Sequence, residues 1–206
     1  MTRVFLLTGA TGHVGGELAR RLAESGDVDQ VIALVRTASR RTTAPGAERV
    51  HGDVTQPDLG LDPGVARRLA RDVTDVVHAA ADTRFLAAPQ DLARTNVVGT
   101  ERVLDFAARC PRLRKLTHVS TLYAVGLTPG RILEEPSTAR EFGNGYQRSK
   151  RESPSHVLER TIAAGSRIRR ARTASSASRF ERWYPLPNSR AVDGSSRIRP
   201  GVSPTA

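Results

Sequence analysis

Cysteine is nearly missing from this sequence: one residue, Cys110, in 206. No intrachain disulfide framework can therefore hold the fold together, which fits a reducing compartment. No stretch approaches the roughly 18 consecutive apolar residues that a membrane span requires. The first eight residues, MTRVFLLT, are too short an apolar run for a secretion signal and lead directly into a glycine-rich turn. These absences lead us to expect a soluble, cytoplasmic protein, and the length suffices for one domain with a sizeable core.

A further absence lies beyond residue 165. The last 41 residues contain no lysine and no run of four apolar residues, but hold 9 Arg, 8 Ser and 4 Pro. Disorder is the expectation for such a composition. The net charge of +11 invites a nucleic-acid reading. Its distribution opposes it, because residues 1–165 carry only +4 and residues 166–206 carry +7. Nucleic acid is thus not expected as a partner. The domain division expected is 1–165 for the folded body and 166–206 for an Arg/Ser/Pro-rich tail.

The body alternates apolar strand-like runs with helical patterns. Strands are expected at 3–8, 31–35, 49–51, 75–80 and 115–120, and helices at 14–25, 64–72 and 90–109. That alternation predicts an α/β fold, a doubly wound parallel sheet with helices on both faces.

Five stretches carry chemistry. In TGATGHVGG, residues 8–16, Gly9, Gly12 and Gly15 stand between a strand and a helix. Glycines there allow a tight turn and close approach of a pyrophosphate to the backbone, and the helix N-terminus supplies unpaired N–H groups. The second stretch ends the second strand. Arg36 sits where an acid would bind a ribose 2′-hydroxyl, and Arg40 and Arg41 follow. An Arg at that point suits a 2′-phosphate, favouring NADP(H) over NAD(H). In the third, Asp53 follows the third strand, where it either meets an adenine amino group or caps a helix. In VVHAAADTRF, Ala79, Ala80 and Ala81 let a cofactor pass close to the sheet edge. His78 reads there as a packed, hydrogen-bonded side chain, and Asp82, Thr83, Arg84 and Phe85 as the lining of a substrate mouth. Finally, HVSTLYAVG places hydroxyls after the fifth strand, and YQRSK places Tyr146 and Lys150 at i and i+4 on one helix face. An ammonium near a phenol stabilises the phenolate, so the tyrosine can exchange a proton with a carbonyl or carbinol oxygen near neutral pH.

Together with ALVR, GDVTQPDLGL and NVVGTERVLDFA, these stretches resemble the extended short-chain dehydrogenase/reductase superfamily. Within it the sequence is most similar to the thioester-reductase and fatty acyl-CoA reductase-like group, also called the male-sterility NAD-binding domain. The resemblance covers about residues 3–165 and implies a Rossmann-type fold. It also implies an NADPH-dependent reductase acting by hydride transfer on an acyl thioester, held on CoA or a carrier protein, or on a related small carbonyl. Gly9, Gly12 and Gly15 would hold the pyrophosphate, with backbone N–H groups of Thr11, Gly12, His13 and Val14. Arg36 would meet the 2′-phosphate, Asp53 and Val54 the adenine, and Ala79, Ala80 and Ala81 the ribose. Asn96 would support the site from the fourth helix and, with Ser120, stands on the cofactor side. Thr121 matches the catalytic hydroxyl and Tyr146 the acid/base. Lys150 would bind the nicotinamide ribose and tune Tyr146. The same superfamily leaves open a hydroxysteroid-dehydrogenase-like or nucleotide-sugar epimerase/dehydratase-like enzyme, or an NADP-binding fragment without catalysis.

Two departures from the family pattern stand out. Pro154 falls where the family continues the helix, and such a proline costs about 3 kcal/mol and kinks it. The family's sixth strand, which reads like RPSIVVG, is missing after Gly165. The expectation is a fold incomplete at its C-terminal side, truncated or frameshifted relative to the family. From Arg170 onward, a one-base shift permits an Arg-Pro-x-Ser-apolar-apolar-Gly series. The nucleotide sequence tests this: early stops in the shifted frame, or no such strand, would sink it.

Overall fold

Five of the apolar runs become strands of one parallel sheet: β1 Val4–Thr8, β2 Gln30–Val35, β3 Ala47–His51, β4 Asp75–His78 and β5 Lys115–His118. The computed structural model describes residues 2–127 and 140–153, all within the first of the two units into which the chain divides, Met1–Arg172. The strand order is β3-β2-β1-β4-β5. The central strand β1 pairs on both sides, Leu6 lying opposite Ile32 of β2 and Val76 of β4.

Successive side chains of a strand face opposite sides, and here both sides are covered. Val4 and Leu6, Ile32 and Leu34, and Val76 share one core with Leu69 of α2 (Pro63–Asp72) and with Val103 and Phe106 of α4 (Gly99–Ala107). Phe5 and Leu7, Ala33 and Val35, and Val77 face the other way, onto Leu18, Ala19 and Leu22 of α1 (His13–Ala23). Burial on both faces explains why these strands read as unbroken apolar runs rather than alternating ones. The doubly wound sheet expected from the pattern is the one observed.

Most boundaries fall within a residue or two of the sequence expectation, and three of the differences bear on the site. The helix expected over 90–109 is three pieces: α3 Pro89–Ala93, a wide π-helical turn Arg94–Val98, and α4. At that turn the Asn96 carbonyl accepts the Thr100 hydroxyl (2.6 Å) and shares the Ser153 hydroxyl with the Ser149 carbonyl, 2.8 Å from each. Side chains inserted at a helical carbonyl are a recognised cause of such irregularity. Strand β4 stops at His78, not residue 80, because the Ala80 N–H turns to the Thr8 hydroxyl (3.2 Å). Strand β5 stops at His118, not residue 120, and the next carbonyl, Val119, accepts the Lys150 ammonium instead (3.0 Å). Both early endings lie at the same edge of the sheet, where the candidate site residues gather.

The helix carrying Tyr146 and Lys150, α5, runs Gly145–Glu152. It packs against α3, the wide turn and a short 3₁₀ turn, Leu122–Val125. Pro154, the boundary expected at residue 165 and the 166–206 tail lie outside the described residues. Among the described residues, no helix is long and apolar enough to cross a membrane.

Candidate active site

The glycine turn links the C-terminal end of β1 to α1. Gly9 has φ +74°, and a Cβ there would stand 2.6 Å from the backbone of Ala79 and Ala80. A Cβ on Gly15 would stand 2.2 Å from the Gly9 carbonyl oxygen. The turn and the end of β4 thus meet backbone to backbone, with no room for side chains. The Gly12 N–H donates to the Gly9 carbonyl (2.9 Å). Gly12 is also the residue before α1 and supplies no side-chain cap, so the first N–H groups of that helix have no partner from their cap. His13 and Val14 are exposed there.

Behind the turn runs a chain of buried hydrogen bonds. The Thr100 hydroxyl donates to the Asn96 carbonyl, so it accepts from His78 Nε2 (3.0 Å). That makes Nε2 the protonated nitrogen, and Nδ1 then accepts the Thr8 hydroxyl (2.7 Å), which in turn accepts the Ala80 N–H. Burial, with the charge of Lys150 and the nearby His118, pushes His78 down to about 3, and it is neutral at physiological pH. The packed, hydrogen-bonded role expected for His78 is the one observed.

Asn96 connects this chain to α5. Its Oδ1 accepts the Asp82 N–H (2.8 Å), and its Nδ2 donates to the Asp82 carbonyl (2.9 Å) and to Ser149 Oγ (2.9 Å). Ser149 in turn donates to the Tyr146 carbonyl (2.8 Å). One buried amide thus fixes the loop after β4 and the helix of Tyr146 together. The start of α5 is fixed separately. Asn144 Oδ1 accepts the Gln147 N–H (2.9 Å), while Gln147 Oε1 accepts the Gly143 N–H (2.8 Å). This is a close variant of the reciprocal cap written as Asn-x-x-Gln. That spacing was readable in the sequence, whereas the bonds of Ser149 and Ser153 to the Asn96 turn required the fold.

Tyr146 and Lys150 are both buried, 7% and 2% exposed. The Tyr146 ring is flanked by Phe85 (centroids 5.3 Å apart) and Tyr123 (6.4 Å). Tyr123 belongs to the turn that Thr121 caps, the Thr121 oxygen accepting the Tyr123 N–H (3.3 Å). A hydroxyl that accepts one bond keeps its own proton for another partner. Ser120 is exposed. Lys150 Nζ donates to the Val119 carbonyl and lies 3.5 Å from His118 Nε2. Burial lowers Lys150 to about 8, so the ammonium still predominates at neutral pH.

The sign of that shift has a measurable result. Between about pH 8 and the ordinary 10.5, the unfolded chain holds the proton and the folded one has lost it. Stability therefore rises with pH across that window, and below it the cost of the buried ammonium is fully present. Lys150→Met carries no such group. Chemical denaturation should show the stability difference moving in favour of the wild-type chain by on the order of 3 kcal/mol between neutral pH and about pH 10.5. A difference that stays flat with pH would disprove the buried charge.

The remaining expected residues are arranged unevenly. Ala79, Ala80 and Ala81 are half-buried at the edge, Ala79 and Ala80 directly against Gly9. Val54 is buried, and a Cβ on Gly99 would press its methyl at 3.1 Å. Asp53 Oδ1 accepts the Thr55 N–H (2.8 Å), a local turn rather than the helix cap weighed in the sequence. Arg36 is exposed at the end of β2, and its charge adds to that of Arg84 in holding Asp82 below the usual carboxylate range. Arg41, named in the sequence only as a neighbour, reaches the turn itself, Nη1 to the Thr11 carbonyl at 3.3 Å. Its loop is braced by Arg49, which donates to the carbonyls of Arg41 (2.8 Å) and Ser39 (2.6 Å). Arg49 carried no sequence signal, because its partners are backbone carbonyls of a loop.

A glycine turn at the central strand, meeting the end of β4 in a sheet of this order, is the framework of the Rossmann-type extended short-chain dehydrogenases/reductases, a class of NAD(P)-dependent oxidoreductases. The comparisons narrow this. The male sterility protein family model matches residues 7–179, and the chain belongs to that family. The match extends past residue 165, where the motifs alone ended the resemblance.

Over 121 residues, 57% of the chain, it is 36% identical to the hybrid PKS-NRPS synthetase ucsA of an Acremonium species. Over 162 residues, 74% of the chain, it is 35% identical to sterol demethylase protein B of Methylococcus capsulatus (strain ATCC 33009 / NCIMB 11132 / Bath). Among solved structures, the terminal R domain from the myxalamid PKS-NRPS biosynthetic pathway matches 76% of the chain with a TM-score of 0.66 and 29% identity. The chain spans 3% of the first of these proteins and 45% of each of the other two.

Proposed function

We propose that this chain is an NADPH-dependent reductase domain that acts on an acyl thioester presented on CoA or on a carrier protein, with Tyr146 as the proton donor. The observation that carries this reading is the buried Tyr146–Lys150 pair. It stands beside the Thr121-capped turn and is tied through Asn96 to the loop that follows β4. The likeness to a terminal R domain favours a thioester over the other carbonyls of the superfamily.

The cradle fits a dinucleotide. At Gly9 and Gly15 any Cβ would collide with the chain's own backbone, which suits the tight turn and close helix–strand packing of such a cradle, and Gly12 is the glycine that would let a pyrophosphate approach. Gly9, Gly12 and Gly15 would hold it, with the N–H groups at the start of α1 facing its charge. Ala79, Ala80 and Ala81 would border the ribose, and Asp53 and Val54 the adenine. When bound, the reduced nicotinamide supplies a hydride. The residues of this chain do the rest. Thr121 holds the carbonyl oxygen with its hydroxyl proton, and Tyr146 gives that oxygen a proton. Lys150, charged at neutral pH, stabilises the phenolate left behind. Phe85, Leu86, Leu122, Tyr123 and Leu127 are exposed apolar side chains. Phe85 and Tyr123 touch the Tyr146 ring, and this surface suits an acyl chain.

The test is to titrate NADPH into the full chain by nicotinamide fluorescence and to follow its oxidation with an acyl-CoA and an acylated carrier protein. Turnover with a thioester supports the reading. Binding without turnover on any thioester sinks the catalytic part and leaves a cofactor-binding protein. The choice of NADPH is tested separately. Arg36→Ser and Arg41→Ser should each weaken NADPH about tenfold or more and leave NADH nearly unchanged, the scale of one charge-assisted hydrogen bond. An equal loss for both cofactors would assign these arginines to the loop rather than to a 2′-phosphate.

A further inference from the structure

His118 has no role in the reading above, yet it occupies a telling place. It is the last residue of β5, under α5, with Nε2 3.5 Å from Lys150 Nζ. Its ring lies 5.1 Å from that of His78, tilted by 40°. Its Nδ1 is buried and has no hydrogen-bond partner among the described residues. The titratable groups around Lys150 Nζ are therefore His118 on β5, His78 one strand further on β4, and Tyr146 one turn back on α5.

We propose that His118 is a positioning residue for Lys150: neutral, with its proton on Nδ1, it accepts an ammonium N–H at Nε2 and, with the Val119 carbonyl, holds Nζ against the end of β5. An ammonium has three N–H donors and no acceptor. Two of them then point toward Val119 and His118, and the third is left for another acceptor. The geometry requires a tautomer split between these two neighbouring rings. His78 carries its proton on Nε2, because its Nδ1 accepts Thr8 and its Nε2 meets an already donating Thr100. His118 must carry its proton on Nδ1, because its Nε2 faces a donor that cannot accept. Protonation of His118 would set two cations against each other. Burial, together with the charge of Lys150, pushes this histidine down to about 4, in keeping with a neutral ring.

The catalytic meaning of this arrangement rests on the role given to Lys150 above. The arrangement itself is read without cofactor or substrate. In the wild-type full chain labelled with 15N-histidine, long-range proton–nitrogen correlation at neutral pH should show the Nδ1–H form for His118 and the Nε2–H form for His78. An Nε2–H form at His118 overturns the proposal. The chain contains only two lysines, exposed Lys115 and buried Lys150, so a 13C-lysine titration reads Lys150 directly, with Lys115 as internal reference. Removing an acceptor from the charged form disfavours it. His118→Leu should lower the Lys150 midpoint by about one unit or more, and His118→Gln, whose side-chain oxygen replaces Nε2, should restore it. An unchanged midpoint in a folded His118→Leu chain overturns the proposal. If that variant does not fold, the wild-type tautomers decide. A chain that reduces no thioester would remove the reductase reading and leave these signals to stand or fall on their own.

Discussion

Tyr146→Phe is expected to lower kcat for thioester reduction by about 10²–10⁴-fold, the usual contribution of a positioned proton donor, with NADPH affinity changed less than about twofold. The two expectations differ because the substitution removes one oxygen and keeps the ring. Phe85 and Tyr123 pack against that ring, and the Ser149 hydroxyl bonds to the backbone of residue 146 rather than to its side chain. The end of α5 therefore stays in place, as does the Asn96 bridge to the loop after β4. Steady-state kinetics on an acyl-CoA, beside a fluorescence titration of NADPH, separates the two quantities. An unchanged kcat would remove Tyr146 from the chemistry. A loss of affinity as large as the loss of rate would make it a packing residue.

Gly15→Ala should be the most damaging of the glycine substitutions in the turn. Its Cβ would lie 2.2 Å from the oxygen and 2.7 Å from the carbonyl carbon of Gly9. Those are backbone atoms of a residue already held against Ala79 and Ala80, so relief requires the turn to move as a whole. A cost of about 1–3 kcal/mol in stability follows from forced backbone shifts, and NADPH binding should fall by more than about 100-fold, equivalent to about 3 kcal/mol. Gly16→Ala is the control. Its Cβ would come no nearer than 3.3 Å to a backbone oxygen, that of Ala10, and alanine is the better helix former by about 1 kcal/mol. Thermal melts and NADPH titrations of the two variants should diverge sharply. Equal behaviour would mean that the turn is loose enough to absorb a methyl group, and the cradle argument would fail with it.

Much of the site was legible before the fold was known, for a local reason. Gly9, Gly12 and Gly15 announce a turn through their spacing, and Arg36 is placed by standing at the end of an apolar run. Tyr146 and Lys150 share a helix face because of their i, i+4 separation. Each of these inferences uses residues within a few positions of one another. The boundaries that were misjudged fail where a distant group intervenes. Strand β4 ends early because Thr8, 72 residues away, captures the Ala80 N–H. Strand β5 ends early because Lys150, 31 residues away, captures the Val119 carbonyl. The helix over 90–109 widens where Ser153, 57 residues away, reaches the Asn96 carbonyl.

The sequence by itself determined the sheet, the turn and the pair. Apolar runs bury on both faces of a parallel sheet, glycines admit backbone contact, and helical spacing sets two side chains side by side. Only the tertiary structure decided which charge meets which partner. Arg41 rather than Arg36 touches the Thr11 carbonyl, Asn96 joins the loop after β4 to α5, and His118 faces Lys150 across the end of β5. The physical reason is that a polar side chain taken out of water must find a partner wherever the fold brings one. That partner is chosen by packing in space, which spacing along the chain does not encode.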